Sequence, residues 1–310
     1  MSWNTRELLR ECLKSLRADM QAGLAEVWVV DNASADGSAA MVADEFPSVR
    51  LLALTENLGF GTAVNAVASR TSTPWLAAAN ADVRVEPGAL AKLVAEGERH
   101  PRAGAVAPRL IMPDGGTQHS VYPFPTIPFA LAYASGIVDL SPALARHWCI
   151  DRGFDPDQPR EACWAVGAFL LVRRSAWDAV GGFDETQWMY AEDLDLGWRL
   201  ARGGWRTRYA PEARVHHEEA AATAQAWGPE RFARWHAATY AWMAKRRGGA
   251  VSRLVAGIYV AGYRARAAAM APATRLGVDG SRQRRNAMLE TANAHRVGLR
   301  RPRALEGGVR

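Results

Sequence analysis

Hydrophobic and polar positions alternate along the first 111 residues in a pattern that predicts helices separated by short strands. The predicted helices have apolar residues every three or four positions, and they cover 5–20, 38–46, 61–69 and 87–100. Short apolar runs predict strands at 25–30, 49–54, 75–79 and 106–111. This order of elements is typical of an α/β fold with a mostly parallel sheet and helices on its faces.

Polar residues cluster where the predicted strands end. Asp31 and Asn32 follow the strand at 25–30, and Asn80-Ala81-Asp82 follows the strand at 75–79. Asn57-Leu58-Gly59-Phe60-Gly61 lies between them, with Asn65 a few residues further on. Ligands of open α/β sheets bind at the carboxyl ends of strands, and glycines at a helix start let backbone amides approach a diphosphate. Each segment alone could also be an ordinary turn or helix cap.

The most informative segment is 181–205, which reads GGFDETQWMYAEDLDLGWRLARGGW. Glu192 and Asp193 open a helical pattern that Gly203-Gly204 ends. A helix N-terminus favours negative charge, so we expect Asp193 to stay ionised and to act as a base. Acidic residues in a first turn often only cap a helix, so the rest of the segment has to decide between the two interpretations.

This segment resembles the C-terminal catalytic motif of the family 2 inverting glycosyltransferases, in the branch of the rhamnosyl- and galactofuranosyltransferases. The matching residues are Gly181, Gly182, Phe183, Asp184, Glu185, Met189, Tyr190, Glu192, Asp193, Asp195, Leu196, Arg199, Leu200, Gly204 and Trp205. The resemblance covers residues 2–220 and implies a GT-A fold with a Rossmann-like sheet. It also implies transfer of a sugar from a nucleotide-diphosphate sugar to a hydroxyl group, with inversion.

The resemblance implies roles for particular residues. Asp193 and Glu192 would form the catalytic pair. The nucleotide-sugar donor would be bound by Asp31, Asn32, Asn57, Gly59, Phe60, Gly61, Asn65, Asn80 and Arg199. Trp164, Gly167 and Trp188 would line the acceptor pocket, although both tryptophans could equally be core residues.

A divalent cation, Mg²⁺ or Mn²⁺, is the cofactor that the resemblance implies. Asp82 and His217 would hold it, and it would stabilise the leaving diphosphate. His216 is adjacent to His217, which leaves an ambiguity of one residue. An isolated pair of histidines is more often a surface or core feature than a ligand pair.

The start of the chain departs from the family pattern. The family's sheet begins with a strand of several apolar residues, whereas this chain begins at Met1-Ser2-Trp3-Asn4. That strand is central in a Rossmann-like sheet, and its loss would leave neighbouring strand edges unpaired. We therefore expect the first strand to be missing and the catalytic domain to be truncated at its N-terminus.

Charge divides the 310 residues unevenly. The net charge is +6, but residues 1–240 have a balance of −6 and residues 241–310 have 15 Lys and Arg against 3 Asp and Glu. We expect a catalytic domain at 1–230, a helical extension at 231–276 and an Arg-rich disordered tail at 277–310. The basic helix expected at 251–270 could lie on an anionic membrane surface, pack on the catalytic domain or contact another copy.

The remaining sequence patterns indicate the cellular location of the protein. No apolar run approaches the roughly 20 residues that span a bilayer, and we expect no signal peptide. The three cysteines lack metal-ligand spacing and indicate a reducing compartment. We therefore expect a cytoplasmic protein, peripheral at the inner face of the cell membrane.

The expected partners are a nucleotide-diphosphate sugar and a glycan or polyprenyl-diphosphate glycolipid acceptor, in cell-envelope polysaccharide synthesis. The expected sugar is rhamnose-like. The alternative is a non-catalytic scaffold that binds a nucleotide sugar or a membrane, but the intact Glu192-Asp193 pair argues against it. Nucleic-acid binding by the Arg-rich tail ranks last, because few aromatic residues accompany the arginines.

Overall fold

The computed structural model describes residues 1–150, 153–218, 227–228 and 230–300. The chain forms two compact units. Among the described residues, 1–122, 155–218 and 227–228 belong to the first unit, and 123–150, 153–154 and 230–300 belong to the second. The domain boundary expected at residue 230 therefore omits a segment, 123–154, that groups with the C-terminal helices.

Helices and strands alternate in the first unit as the hydrophobic pattern predicted. The elements up to residue 111 are α1 (Arg6–Gln21), β1 (Trp28–Asp31), α2 (Ser38–Glu45), β2 (Arg50–Ala53), α3 (Phe60–Ala68), β3 (Trp75–Ala79), β4 (Val83–Val85), α4 (Ala89–Arg99) and β5 (Ala103–Ile111). Every predicted helix and strand of this stretch is present. The short strand β4 is an addition that the pattern did not predict.

Six further strands and two helices lie in the rest of the described part of the first unit. They are β6 (Thr117–Gln118), β7 (Val121–Tyr122), β8 (Arg160–Ala162), β9 (Trp164–Ala165), β10 (Phe169–Arg173), α8 (Arg174–Val180), α9 (Glu192–Arg202) and β11 (Arg206–His217). Helix α9 begins at Glu192 and ends before Gly203, as the sequence predicted.

The main sheet has the strand order β3-β10-β5-β11-β4, with β6 on β5 and β8 on β11. Strands β5 and β11 are parallel, whereas β10 runs antiparallel to β3 and β5, and β11 runs antiparallel to β4 and β8. Strands β1 and β2 form a separate parallel pair, and β7 and β9 an antiparallel pair. The sheet is more mixed than expected because β10 inserts, in the opposite direction, between two strands that run the same way.

The residues before α1 also pair with strands. Ser2 forms a parallel bridge with Asp31, and its carbonyl accepts a hydrogen bond of 2.8 Å from the Asn32 N–H. The amino group of Met1 donates to the carbonyl of Ala79 at 2.8 Å. Ser2 therefore lies between β1 and β3, and the missing first strand stays a prediction.

Helix α1 connects two parts of the hydrophobic core. Its buried residues Leu9, Cys12 and Leu13 recur at helical spacing. Cys12 packs in the cluster of the main sheet with Val83, while Leu9 and Leu13 pack with Val42 of α2. Because burying a leucine stabilises a fold by about 1.5–3 kcal/mol, this face holds α1 in place beside the strand ends.

The second unit is helical over its described residues. Its helices are α5 (Ile127–Ser135), α6 (Ile137–Leu140), α7 (Pro142–His147), α10 (Glu230–Arg247), α11 (Gly249–Ala269), α12 (Ala271–Arg275) and α13 (Ser281–Arg300). Helix α11 packs against α5, α10 and α13. No helix in the described ranges is both long and apolar enough to cross a bilayer.

Helix α13 corrects the expectation of a disordered tail. Residues 281–300 are helical, and they bury Ala292 and His295. Gly298 lets the helix approach α10 closely, because a Cβ atom there would lie 2.6 Å from the Cβ of His236. The sequence prediction failed because the arginines outnumber these few small buried residues. The end of the expected tail, 301–310, lies outside the described residues.

Candidate active site

Asp31 and Asn32 lie at the carboxyl end of β1 and have different surroundings. The Asn32 side chain is buried; its Nδ2 donates to Asn57 Oδ1 at 2.8 Å, and its Oδ1 accepts from the Leu58 N–H at 2.9 Å. The buried carboxylate of Asp31 accepts from the Ser34 N–H at 3.0 Å through Oδ2. Its Oδ1 has no hydrogen-bond partner among the described residues. Asn32 thus holds a loop in place, while Asp31 keeps an acceptor available.

The loop before α3 packs on the segment that precedes α9. Gly59 has φ +82°, and a Cβ atom there would lie 2.1 Å from the Trp188 carbonyl oxygen. That oxygen also accepts from the Phe60 N–H at 3.3 Å, and Trp188 Nε1 donates to the Asn57 carbonyl at 3.2 Å. Both the backbone conformation and the close approach require glycine at position 59.

Helix α3 holds the turn at 182–185. Asn65 Nδ2 donates to the Phe183 carbonyl at 2.9 Å and to Glu185 Oε1 at 3.0 Å, and Asn65 Oδ1 accepts from the Phe183 N–H at 2.9 Å. A Cβ atom at Gly61 would lie 2.9 Å from Phe183 Cβ, and the Phe60 ring meets the Phe183 ring edge-on. The amide of Asn65 is therefore used within the protein, as is that of Asn32, and the donor-binding role expected for these two residues stays a prediction.

Asp82 and His217 meet because β4 pairs with β11. The strand register places His217 opposite Val83, and His217 Nε2 lies 3.4 Å from Asp82 Oδ1. Both side chains are buried. His216 points elsewhere, since its Nε2 lies 3.0 Å from Glu86 Oε1. Of the two histidines, His217 is therefore the one that lies beside Asp82.

The backbone before α9 is strained. Tyr190 and Ala191 both have φ +61°, the left-handed region, immediately before Glu192. Residues other than glycine pay about 1–2 kcal/mol each for this conformation. The strained turn sets the direction in which α9 begins, and with it the positions of Glu192 and Asp193.

A short backbone segment joins Asp193 to the end of β3. The Gly167 N–H donates to Asp193 Oδ2 at 3.0 Å, and the Leu194 N–H donates to Asp193 Oδ1 at 2.7 Å. The carbonyl of the next residue, Ala168, accepts from the Asn80 N–H at 2.9 Å. Asp193 and Asn80 are therefore hydrogen-bonded to two adjacent residues, Gly167 and Ala168, just before β10.

Burial controls the ionisation of the two carboxyl groups. Burial, followed by the charge of Asp193, raises the pKa of Glu192 to about 8. Burial also raises the pKa of Asp193, while the N–H groups of Gly167 and Leu194 act in the opposite direction. The expected effect of a helix N-terminus is therefore opposed by desolvation. The N–H groups of Gly167 and Leu194 favour the charged form of Asp193, in opposition to burial.

Arg199 and Trp164 contact the protein itself. Arg199 Nε donates to Asp195 Oδ2 and its Nη1 to the Val180 carbonyl, both at 2.6 Å. Trp164 is 6% exposed and stacks on Tyr122, with ring centroids 5.0 Å apart. Both side chains therefore pack within the protein, Arg199 Nη2 has no hydrogen-bond partner among the described residues, and the roles of Arg199 in donor binding and of Trp164 in acceptor binding stay predictions.

Two residues near the site gave no signal in the sequence. Gln118 Oε1 lies 2.7 Å from His217 Nδ1, and Trp227 lies with its ring centroid 6.0 Å from that of Trp188. Gln118 stands 99 positions from His217, and only the strand pairing shows that they meet. Trp188 is half-buried, so of the two predicted acceptor tryptophans it is the more accessible.

Asp82 and His217 fit part of a metal site. They supply a carboxylate oxygen and an imidazole nitrogen that converge. Within the described ranges, no three or more His, Cys, Asp and Glu side chains group as metal ligands. Such a pair suits a cation that takes its other ligands from a diphosphate and water.

Comparisons with known proteins agree with this geometry. Residues 1–135 match glycosyl transferase family 2, and residues 146–274 match glycosyl transferase family group 2. The N-acetylglucosaminyl-diphospho-decaprenol L-rhamnosyltransferase of Mycobacterium tuberculosis is 38% identical over 237 residues, which cover 72% of this chain and 76% of that protein. Rhamnosyltransferase WbbL of Escherichia coli K12 is 36% identical over 89 residues, 27% of this chain and 31% of WbbL.

The fold has a similar solved structure. The mannosyltransferase PcManGT of Pyrobaculum calidifontis superposes with a TM-score of 0.61 at 18% identity, covering 97% of this chain and 84% of that one. The fold and the site thus define a glycosyltransferase of the GT-A type. The chain belongs to glycosyltransferase family 2, in its rhamnosyltransferase branch, which confirms the resemblance of the 181–205 segment.

Proposed function

We propose that this glycosyltransferase transfers a rhamnose-like sugar, with inversion, from a nucleotide-diphosphate sugar to a glycan or polyprenyl-diphosphate glycolipid of the cell envelope. The observation that carries the proposal is the pair of backbone hydrogen bonds joining Asp193 and Asn80 to adjacent residues, Gly167 and Ala168. They bring a candidate base near the strand end that contains Asp82. The activity that names the mycobacterial relative supports the choice of sugar and acceptor.

Asp193 is the base of the proposed reaction. The acceptor hydroxyl oxygen attacks the anomeric carbon from the face opposite the diphosphate, and its proton passes to the Asp193 carboxylate. A new C–O bond forms as the bond to the diphosphate breaks. The Gly167 N–H fixes Asp193 Oδ2 in one orientation. A positioned base contributes about 10²–10⁴-fold to such a rate.

The donor would be held by groups that the protein leaves available. Asp31 Oδ1 can accept a hydrogen bond from the N–H of a nucleotide base. Helix α3 begins at Phe60, and a helix N-terminus suits the negative diphosphate. Asp82 and His217 would hold Mg²⁺ or Mn²⁺, which would offset the charge that develops on the leaving diphosphate. The similar mannosyltransferase was solved with GDP-Man and Mn²⁺, which supports a divalent cation here.

Release of nucleoside diphosphate tests this proposal. The full chain is incubated with dTDP-, UDP- and GDP-sugars, a polyprenyl-diphosphate glycolipid and Mg²⁺ or Mn²⁺. We expect acceptor-dependent release from one donor, reduced about 10²–10⁴-fold in Asp193→Asn. Asp44→Asn, an exposed aspartate of α2, is the matched control and should keep the wild-type rate. Release that persists in Asp193→Asn would refute the assignment, and a folded chain that releases nothing would favour the non-catalytic alternative.

We also propose that the second unit binds an anionic membrane at the inner face of the cell membrane. Ten large hydrophobic side chains are exposed among the described residues, and nine of them belong to this unit. Leu140 and Leu276 are the most exposed, at 84% and 82%. Residues 241–310 add 15 basic against 3 acidic side chains. Apolar and basic groups together are the combination that binds anionic bilayers.

Vesicle sedimentation tests the membrane proposal. We expect the full chain to sediment with vesicles that contain phosphatidylglycerol and to remain in solution with pure phosphatidylcholine. The double variant Leu140→Ser/Leu276→Ser should bind several-fold more weakly, whereas Leu24→Ser, at an exposed leucine of the first unit, should bind like the wild type. Equal binding by all three proteins would contradict the proposal, and a change in oligomeric state in the double variant would favour a contact between copies.

A further inference from the structure

The imidazole of His217 is held through its two nitrogens by different partners. Gln118 Oε1 lies 2.7 Å from Nδ1, and Asp82 Oδ1 lies 3.4 Å from Nε2. The ring is buried, with 4% of the residue exposed. Gln118 is fixed by strand pairing, since it lies opposite Leu110 of β5. The contact between Gln118 and His217 is therefore built from the sheet.

The hydrogen bond to Gln118 determines which nitrogen of His217 carries the proton. An amide oxygen can only accept, so Nδ1 must be the N–H that donates to Gln118 Oε1. When the imidazole is neutral it has this single N–H, and Nε2 then presents a lone pair. Nε2 has no hydrogen-bond partner among the described residues. A lone pair and a carboxylate oxygen thus converge in a buried place, and a cation is the group that suits both.

We propose that Gln118 is a positioning residue that keeps His217 in the tautomer able to bind the divalent cation through Nε2. The proposal rests on the cation site of the proposed function, but on neither the donor sugar nor the acceptor. Without an acceptor at position 118, the ring can carry its proton on Nε2 and donate it to Asp82. That hydrogen-bonded pair would satisfy both ligands internally and compete with the cation.

Mn²⁺ affinity tests the role of Gln118. The full chain is titrated with Mn²⁺ alone, and electron paramagnetic resonance measures the bound fraction. Gln118→Met removes the acceptor at similar length, and we expect about tenfold weaker binding, as is typical when the partner of a metal-binding histidine is lost. Gln118→Glu keeps an acceptor and should bind Mn²⁺ at least as tightly as the wild type. Thr117→Ala, which removes the partner of Arg109 on the same strand, is the control and should leave Mn²⁺ affinity unchanged.

Nitrogen-15 NMR of labelled histidine provides a second readout that needs neither metal nor substrate. We expect His217 to carry its proton on Nδ1 in the wild type and on Nε2 in Gln118→Met. Unchanged Mn²⁺ affinity in folded Gln118→Met, or an equal loss in Thr117→Ala, would overturn the proposal, as would an Nε2 proton in the wild type. If transfer is never observed but these shifts occur, the proposed function fails while the role of Gln118 stands.

Discussion

Replacing Glu192 by glutamine should change how the stability of the protein depends on pH. The Glu192 carboxyl group is 8% exposed, and its Oε2 has no hydrogen-bond partner among the described residues. Burial and the Asp193 charge raise its pKa from 4.5 to about 8. The folded state therefore binds this proton more tightly than the unfolded chain, so the wild type loses stability as pH rises from 4.5 towards 8.

The size of the effect follows from the two pKa values. Between pH 4.5 and pH 7, an interval of about 2.5 units, the unfolded chain releases this proton while the folded chain still holds it. At about 1.4 kcal/mol per unit, about 2.5 units correspond to about 3.5 kcal/mol. The wild type is less stable at pH 7 than at pH 4.5 by about 3 kcal/mol of this, because the unfolded carboxyl group is already half ionised at pH 4.5. Glutamine cannot ionise, so Glu192→Gln should lack this loss. Domain stabilities are about 5–15 kcal/mol, which makes the difference measurable.

Urea unfolding at pH 5 and pH 7, monitored by tryptophan fluorescence, measures this difference. The quantity to compare is the change in the free energy of unfolding between the two pH values, in wild type and variant. Glu212→Gln, at an exposed glutamate of β11, is the matched control and should follow the wild type. If Glu192→Gln showed the same pH dependence as the wild type, the inference that burial holds a proton on Glu192 would be wrong.

Two further substitutions test the frame of the site by thermal unfolding. Gly59→Ala should cost several kcal/mol, because it adds a contact of 2.1 Å with the Trp188 carbonyl to the cost of a positive φ; Gly115→Ala has the same φ of +82° with open space around it and should cost only about 1 kcal/mol. Similar losses in the two variants would show that the loop gives way. Arg199→Met removes the ion pair of the buried Asp195 and should cost about 3 kcal/mol, while Arg202→Met at the exposed end of α9 should cost little; equal effects would contradict the supporting role of Arg199.

The sequence predicted those parts of the molecule that local patterns determine. The periodicity of apolar residues placed every element up to residue 111 except β4, and the acidic pair and Gly203 marked both ends of α9. The sequence pattern did not predict which strands pair. The contact between Gln118 and His217 depends on β6 pairing with β5 and on β5 pairing with β11, and no spacing along the chain indicates either pairing. The same holds for the insertion of β10 between β3 and β5.

A family resemblance predicts where the residues of the site lie more readily than what each side chain binds. Asn32 and Asn65 stand where the motif requires them, yet their side-chain amides bind neighbouring protein atoms. A motif records that a residue type is needed without recording what it contacts. The contacts divide these residues from Asp31, whose carboxylate keeps one oxygen available for a ligand.

The two adjacent carboxyl groups can be assigned different tasks from their surroundings. With a pKa of about 8, Glu192 is protonated at pH 7, so the neutral side chain introduced by Glu192→Gln imitates the state in which this residue works. Asp193 receives two backbone N–H groups that favour its charge, which supports the proposal that Asp193 accepts the acceptor's proton. Transfer at pH 7 should therefore survive Glu192→Gln within a few-fold and fall by about 10²–10⁴ in Asp193→Asn. If Glu192→Gln lost more activity than Asp193→Asn, Glu192 would be the base. The hydrogen bond from Gly167 would then orient a carboxylate that takes no part in the proton transfer.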